Sequence, residues 1–291
     1  MIFEGSAVAL VTPFNNNGQV NYFAIRDLIE YQIANGTKAI VILGTTGESS
    51  TITKKERTKI IKFTVSIINK RIPVIVGTGT NNTESTIQLS KEAENLGADA
   101  VLIVTPYYNK CNQDGLFLHY KSIAENIKIP IILYNVPSRT GVNILPETVK
   151  KLSKIKNIVA IKEASGNLTQ IAKLINILPN SFAVYSGDDS LNLPIYALGG
   201  KGTISVTANC YPDKVSLLYY YTSINDLKNA QSINNSLYKI NEALFLDINP
   251  ICVKYYLHLQ SFINEKVRLP LTKPNDKLKN KLLEVYKHYE N

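Results

Sequence analysis

One lysine ends an otherwise apolar run, Ile158-Val159-Ala160-Ile161-Lys162, and it has the most chemistry to offer. As a strand of period two, the run puts Lys162 on the face of Ala160 and Ile158, where it could point into a core. A cation there is unfavourable unless paired, and desolvation favours the neutral amine. Such an amine attacks carbonyl carbon and forms an imine. The competing reading is a structural ion pair with a nearby carboxylate.

Other candidates sit at the ends of similar runs. Gly44-Thr45-Thr46-Gly47 offers two hydroxyls and small residues whose N–H groups can face a carboxylate. An ordinary polar loop, with Ser49, Ser50 or Thr53 capping the next helix, fits it equally well. Tyr134, inside YNVPSRTG, could move a proton at carbon or could be a core tyrosine. Arg139 suits a bidentate grip on a carboxylate, although a surface salt bridge is the usual fate of an arginine. Tyr107 and Tyr108 are two of seventeen tyrosines and carry little weight alone. Asp188-Asp189 fits a helix N-cap better than a cation site.

These residues are far apart in the chain, so a fold must gather them. Eight β-rich apolar runs, from SAVALVTP (6–13) to GTISVTAN (202–209), alternate with amphipathic helical stretches. Leu116, Tyr120, Ile123 and Ile127 trace one helical face, and Leu168, Ile171, Ile175 and Leu178 another. Gly36 and Gly97 sit where helix C-caps belong. Strict alternation implies a parallel sheet, and eight strands close a barrel. The expected fold is α/β, a (β/α)8 TIM barrel over residues 1–222, followed by a C-terminal helical region over 223–291. An open doubly wound sheet is the runner-up, but TPFNNNG stands where its GxGxxG would be. In a barrel, the loops after the strands build the site, and every candidate above lies in such a loop or at a strand end.

Composition narrows the function classes. Apolar residues make up 45% and charged residues 19% of the 291, enough for a large core. The net charge of +9 comes from lysines scattered over helices without interleaved aromatics, which argues against nucleic acid as partner. Three cysteines without CxxC spacing and three scattered histidines leave little for a disulfide framework or a metal. The N-terminal stretch does not read as a signal peptide, and no apolar run approaches membrane-spanning length. A soluble, reduced, cytoplasmic protein with no membrane span and little material for a metal is expected.

The motifs GTTGES, VTPYYN, YNVPSRTG, IKEASGN, SGDD, GTISVTAN and NPICVK, in this order and spacing, resemble the dihydrodipicolinate synthase family. The likeness runs from Gly5 to about Leu271, and the family sits within the pyruvate-dependent class I aldolases. It implies condensation of pyruvate with L-aspartate 4-semialdehyde in diaminopimelate and lysine biosynthesis. By resemblance, Lys162 forms the imine with pyruvate and Tyr134 donates and accepts the proton. Thr45 links Tyr134 to Tyr108 in a hydroxyl relay, with Tyr108 reaching a neighbouring subunit. Thr46 holds the pyruvate carboxylate, Arg139 holds that of the semialdehyde, and Gly187 and Ile204 line the lysine pocket. A tight dimer, most often within a tetramer, is implied, and the imine on Lys162 takes the place of a cofactor.

Related aldolases of sialic or keto-deoxy sugar acids are the alternative, but they generally lack the arginine after the Tyr-Asn-x-Pro turn. Ser49, Asn81 and Tyr107 match the family's lysine-effector site, whereas Lys54 and Arg57 replace its histidines. A cationic effector beside two cations loses roughly 1 kcal/mol per close pair in a water-like dielectric, so feedback by lysine is expected to be weak. Cys111 and Cys252 stand where relatives often carry proline.

Overall fold

Each of the eight apolar runs forms a strand in the computed structural model, which describes residues 1–290. They are β1 (Gly5–Ala9), β2 (Ala39–Ile42), β3 (Val74–Gly77), β4 (Ala100–Val104), β5 (Ile131–Asn135), β6 (Ile158–Glu163), β7 (Ala183–Ser186) and β8 (Gly202–Ser205). All pair in parallel with their sequence neighbours, and β8 returns to β1, so the sheet is a closed barrel and not the open alternative. Closure depends on Gly5 and Gly202, which face each other in register. Gly202 has φ +140°, and a Cβ there would run into the Gly5 backbone.

Two apolar layers result from the alternation of side chains. Val8, Ile40, Val76, Ile103 and Leu133 point outward into the shell of helices. Ala7, Ala39, Ala100, Ala160 and Ala183 point inward, leaving room for larger residues such as Tyr134 and Ile204. The floor is closed by Tyr185, which stacks on Phe3 with centroids 4.2 Å apart and donates its hydroxyl to the Phe3 carbonyl at 2.7 Å. A bulge changes one sequence-based expectation. Ile131 pairs with Ile158 but Ile132 pairs with Ala160, so one extra residue sits in β6. Ile158 therefore belongs to the outer layer, while Ala160 stays inside beneath Lys162.

The helices start where short polar side chains can satisfy free backbone N–H groups. Asn21, Asn82, Asn112 and Asn167 each cap the helix that follows, and Thr53 forms a capping box with Glu56. Each such cap contributes about 1 kcal/mol. Gly36 and Gly97 adopt φ of +87° and +90° after their helices, as the C-cap role requires. The helix Pro212–Ser223 follows the last strand, and the helices Leu227–Ala243, Ile251–Leu259 and Asp276–Glu290 complete the chain. Among the described residues no helix is long and apolar enough to cross a membrane.

One buried base in this shell gives stability a pH dependence. His119, on the helix Gln113–Asn126, is buried, and its Nδ1 meets the Thr83 hydroxyl at 2.9 Å. Burial pushes its pKa down to about 4. Below its usual 6.5 the unfolded chain takes up a proton that the folded chain refuses until about 4. Stability is therefore lost as pH falls through this window, by about 3 kcal/mol. In urea unfolding between pH 7 and 4, His119→Gln is expected to flatten that loss; an unchanged slope would reject it.

Candidate active site

The C-terminal ends of the strands open on a cavity of about 1000 Å³ whose wall includes Thr46, Tyr134, Arg139, Lys162 and Gly187. Lys162 and Tyr134 are register partners across β6 and β5, so the sheet itself sets them side by side. Lys162 is 5% exposed, and its Nζ lies 4.5 Å from the centroid of the Tyr134 ring. Among the described residues it enters no ion pair, so the structural alternative raised from the sequence does not apply. The carboxylate next in sequence, Glu163, belongs to the opposite face of β6. It is held by Asn135, Ser165 and Gln170, and burial raises its pKa. Space for the lysine comes from Gly187, where a Cβ would sit 2.9 Å from Lys162 Cε.

Thr46 is buried and accepts a hydrogen bond at its hydroxyl from Asn249 Nδ2 at 2.9 Å. The loop that carries it is strained at both ends, since Leu43 and Glu48 adopt φ of +56° and +53°. Left-handed backbone costs about 1–2 kcal/mol at each non-glycine residue, so other contacts must hold the loop. Thr12 supplies one by donating its hydroxyl to the Gly47 carbonyl at 2.7 Å. Glu48 supplies the rest. One of its oxygens accepts from Lys254 Nζ at 2.5 Å, and the other accepts from the Arg268 backbone N–H at 2.9 Å. Burial lowers the pKa of Lys254, with Glu48 opposing.

Arg139 stands at the rim on the short helix Pro137–Thr140, exposed and without a carboxylate partner among the described residues. Its Nη2 lies 3.4 Å from the Asn249 carbonyl, and the guanidinium remains available to an anion. Asp188 and Asp189 serve structure, as the sequence suggests. Asp188 caps Ser190, while Asp189 is buried and accepts from the N–H groups of Val206 and Thr207 at 2.8 and 2.9 Å.

Not every expected residue reaches the cavity. Ile204 is fully buried in the inner layer with Tyr134, and its side chain is not among those that wall the cavity. Thr45 is half-buried and off the wall, and among the described residues no hydrogen bond joins it to Tyr134 or Tyr108. Tyr108 is 92% exposed with φ +69° and does not line this chain's own cavity. Among the effector candidates, Asn109 donates to the Asn81 carbonyl at 2.9 Å, tying Asn81 to the loop of Tyr107. Ser49 lies on the separate turn Ser49–Thr51. Arg57 is buried with Nη1 on the Gly77 carbonyl at 2.8 Å, while Lys54 is exposed. Only one of these two cations therefore faces solvent.

The residues least visible in sequence come from the C-terminal region. Asn241, Glu242, Phe245, Asp247 and Asn249 wall the cavity opposite the barrel loops. Of these, only Asn249 falls within a motif, NPICVK, and that motif also carries Lys254.

Fold and site define a (β/α)8 barrel with a buried amine, unpaired among the described residues, at the mouth where such barrels do chemistry. Comparison with known proteins narrows the class. A model of the dihydrodipicolinate synthetase family matches residues 2–289, and the chain belongs to that family. A 4-hydroxy-tetrahydrodipicolinate synthase of Acetivibrio thermocellus is 50% identical over 99% of this chain and 98% of its own. The crystal structure of dihydrodipicolinate synthase from Aquifex aeolicus superposes with a TM-score of 0.96 at 46% identity, covering 99% of this chain and 98% of the other. A chloride-inhibited dihydrodipicolinate synthase from Acinetobacter baumannii, complexed with pyruvate, gives a TM-score of 0.97 at 44% identity, covering 100% and 99%.

Proposed function

We propose that this chain condenses pyruvate with L-aspartate 4-semialdehyde, as a 4-hydroxy-tetrahydrodipicolinate synthase does. The observation that carries the proposal is the buried Lys162 amine, free of any carboxylate among the described residues and opening on a cavity with Arg139 at its rim. Lys162 Nζ adds to the ketone carbon of pyruvate, and loss of water leaves an iminium. The iminium withdraws electrons from the methyl group, and the Tyr134 phenol, beside Lys162, takes part in moving its proton. The resulting enamine attacks the aldehyde carbon of the second substrate, whose oxygen takes up a proton. The substrate's own amine then displaces Lys162 from the imine carbon. That step closes the six-membered ring and frees the lysine. One water is lost overall, and no redox change occurs.

Two carboxylates enter, and two sites suit them. Thr46 offers a hydroxyl and a backbone N–H on the wall of the cavity that Lys162 enters, for the keto acid, and Arg139 takes the semialdehyde at the rim. Tyr108 fits a relay only if it enters a second copy's cavity, so a tight dimer, assembled into a tetramer, is part of the proposal. Cytoplasmic location and independence of any cofactor belong to it as well.

The test is borohydride reduction in the presence of pyruvate, followed by peptide mapping. A pyruvyl adduct on Lys162 is expected, and active protein without it would exclude imine chemistry. Turnover with aspartate semialdehyde but not N-acetylneuraminate separates this function from that of the related sugar-acid aldolases.

A further inference from the structure

Two residues of the family-like motifs have no part in that chemistry, Glu48 of GTTGES and Lys254 of NPICVK. They meet as an ion pair with side chains 1% and 0% exposed. Lys254 donates also to the Lys266 carbonyl at 2.9 Å and lies 4.1 Å from the centroid of the Phe14 ring. Arg268, whose N–H holds the other Glu48 oxygen, extends the knot outward. Its guanidinium binds the carbonyls of Gly18 and Thr51 and both oxygens of Glu56. A buried ion pair is a poor device for stability alone, since well-packed apolar residues serve as well. What it does provide is direction, because a charge pair in a dry setting tolerates little displacement.

The geometry shows what is being directed. Asn249 and Lys254 flank the start of one helix, Ile251–Leu259, and both grip the loop after β2. Asn249 holds the Thr46 hydroxyl, and Lys254 holds Glu48 two residues further on. The loop is in left-handed backbone at Leu43 and again at Glu48, so it resists the shape in which it is held. Release of Glu48 lets that end relax, and Thr46 moves with it.

We propose that the Glu48–Lys254 pair is a positioning clamp, which fixes Thr46 at the place where its hydroxyl and N–H meet the carboxylate of the keto acid. The clamp rests on the assignment of Thr46 to that carboxylate. It acts through Thr46 and touches no substrate itself. Its loss weakens keto-acid binding without altering the amine that reacts.

The test uses the full-length protein and pyruvate alone, scoring borohydride-trapped adduct on Lys162 against pyruvate concentration. In Lys254→Met the half-trapping pyruvate concentration is expected to rise about tenfold, while maximal trapping at saturating pyruvate stays within about threefold. The double variant Glu48→Gln/Lys254→Met leaves no lone buried charge and is expected to show the same rise with a native circular dichroism spectrum. Folded variants with the wild-type half-trapping concentration would overturn the clamp. If neither variant is recovered folded, Glu48→Asp decides, because it keeps the charge balance but shortens the reach to Lys254: a rise supports the clamp, and no rise overturns it. Wild-type protein that forms no adduct at all would instead reject the imine function, so the two failures are distinct.

Discussion

Lys162→Met is expected to abolish condensation, lowering kcat by about ten-thousandfold or more, while leaving the protein folded and slightly more stable. The loss follows from covalent catalysis, because among the described residues no other amine lies on the cavity wall to replace the nucleophile. The stability change follows from burial. Lys162 is 5% exposed and has no ion-pair partner among the described residues, so the folded state bears a desolvation cost that a methionine of similar length does not. Relief of about 1 kcal/mol raises Tm by about 2 °C. Steady-state assay and calorimetry on the same preparation check both halves. Residual condensation within a hundredfold of wild type would mean that Lys162 is not the nucleophile.

Gly187→Ala is expected to lower kcat/KM by about a hundredfold by moving that same lysine. Its φ lies outside the left-handed region, so alanine is compatible with the backbone, and the obstacle is space. The new methyl would sit 2.9 Å from Lys162 Cε, 3.0 Å from its Cγ and 2.9 Å from Ala164 Cβ. Something must shift, and the lysine stem is the most flexible of the three. A displacement near 1 Å at a reacting atom costs about a hundredfold in rate. Overpacking costs about 1–3 kcal/mol in stability, so the variant remains measurable. A slower approach to the trapped adduct would locate the defect at imine formation. Wild-type kinetics would show that the lysine does not occupy this position during turnover.

Much of the architecture was legible before the structure because it follows from local rules. Apolar runs bounded by turn residues become strands whatever they pack against, and strict alternation with helices leaves few topologies. Lys162 stood out as a polar group ending a buried strand, whereas Tyr134 and Arg139 stayed ambiguous by residue type and gained roles only through the resemblance of their motif. Ile158 shows where periodicity fails: an extra residue in β6 turns it outward, and bulges carry no reliable sequence signal. Arg57, named from the sequence only as one of two cations beside the effector site, turns its guanidinium inward onto the Gly77 carbonyl of β3, a burial that no local pattern reveals.

The sequence alone determined the eight strands, their alternation with helices and the candidate nucleophile, since each is written in a local pattern of apolar and polar residues. Only the tertiary structure decided that Lys162 is unpaired, that the C-terminal region walls the cavity, and that Glu48 meets Lys254 across 206 residues. The physical reason is that burial and ion pairing depend on which distant segments share a small dry volume. That is set by how the whole chain packs and not by the residues on either side.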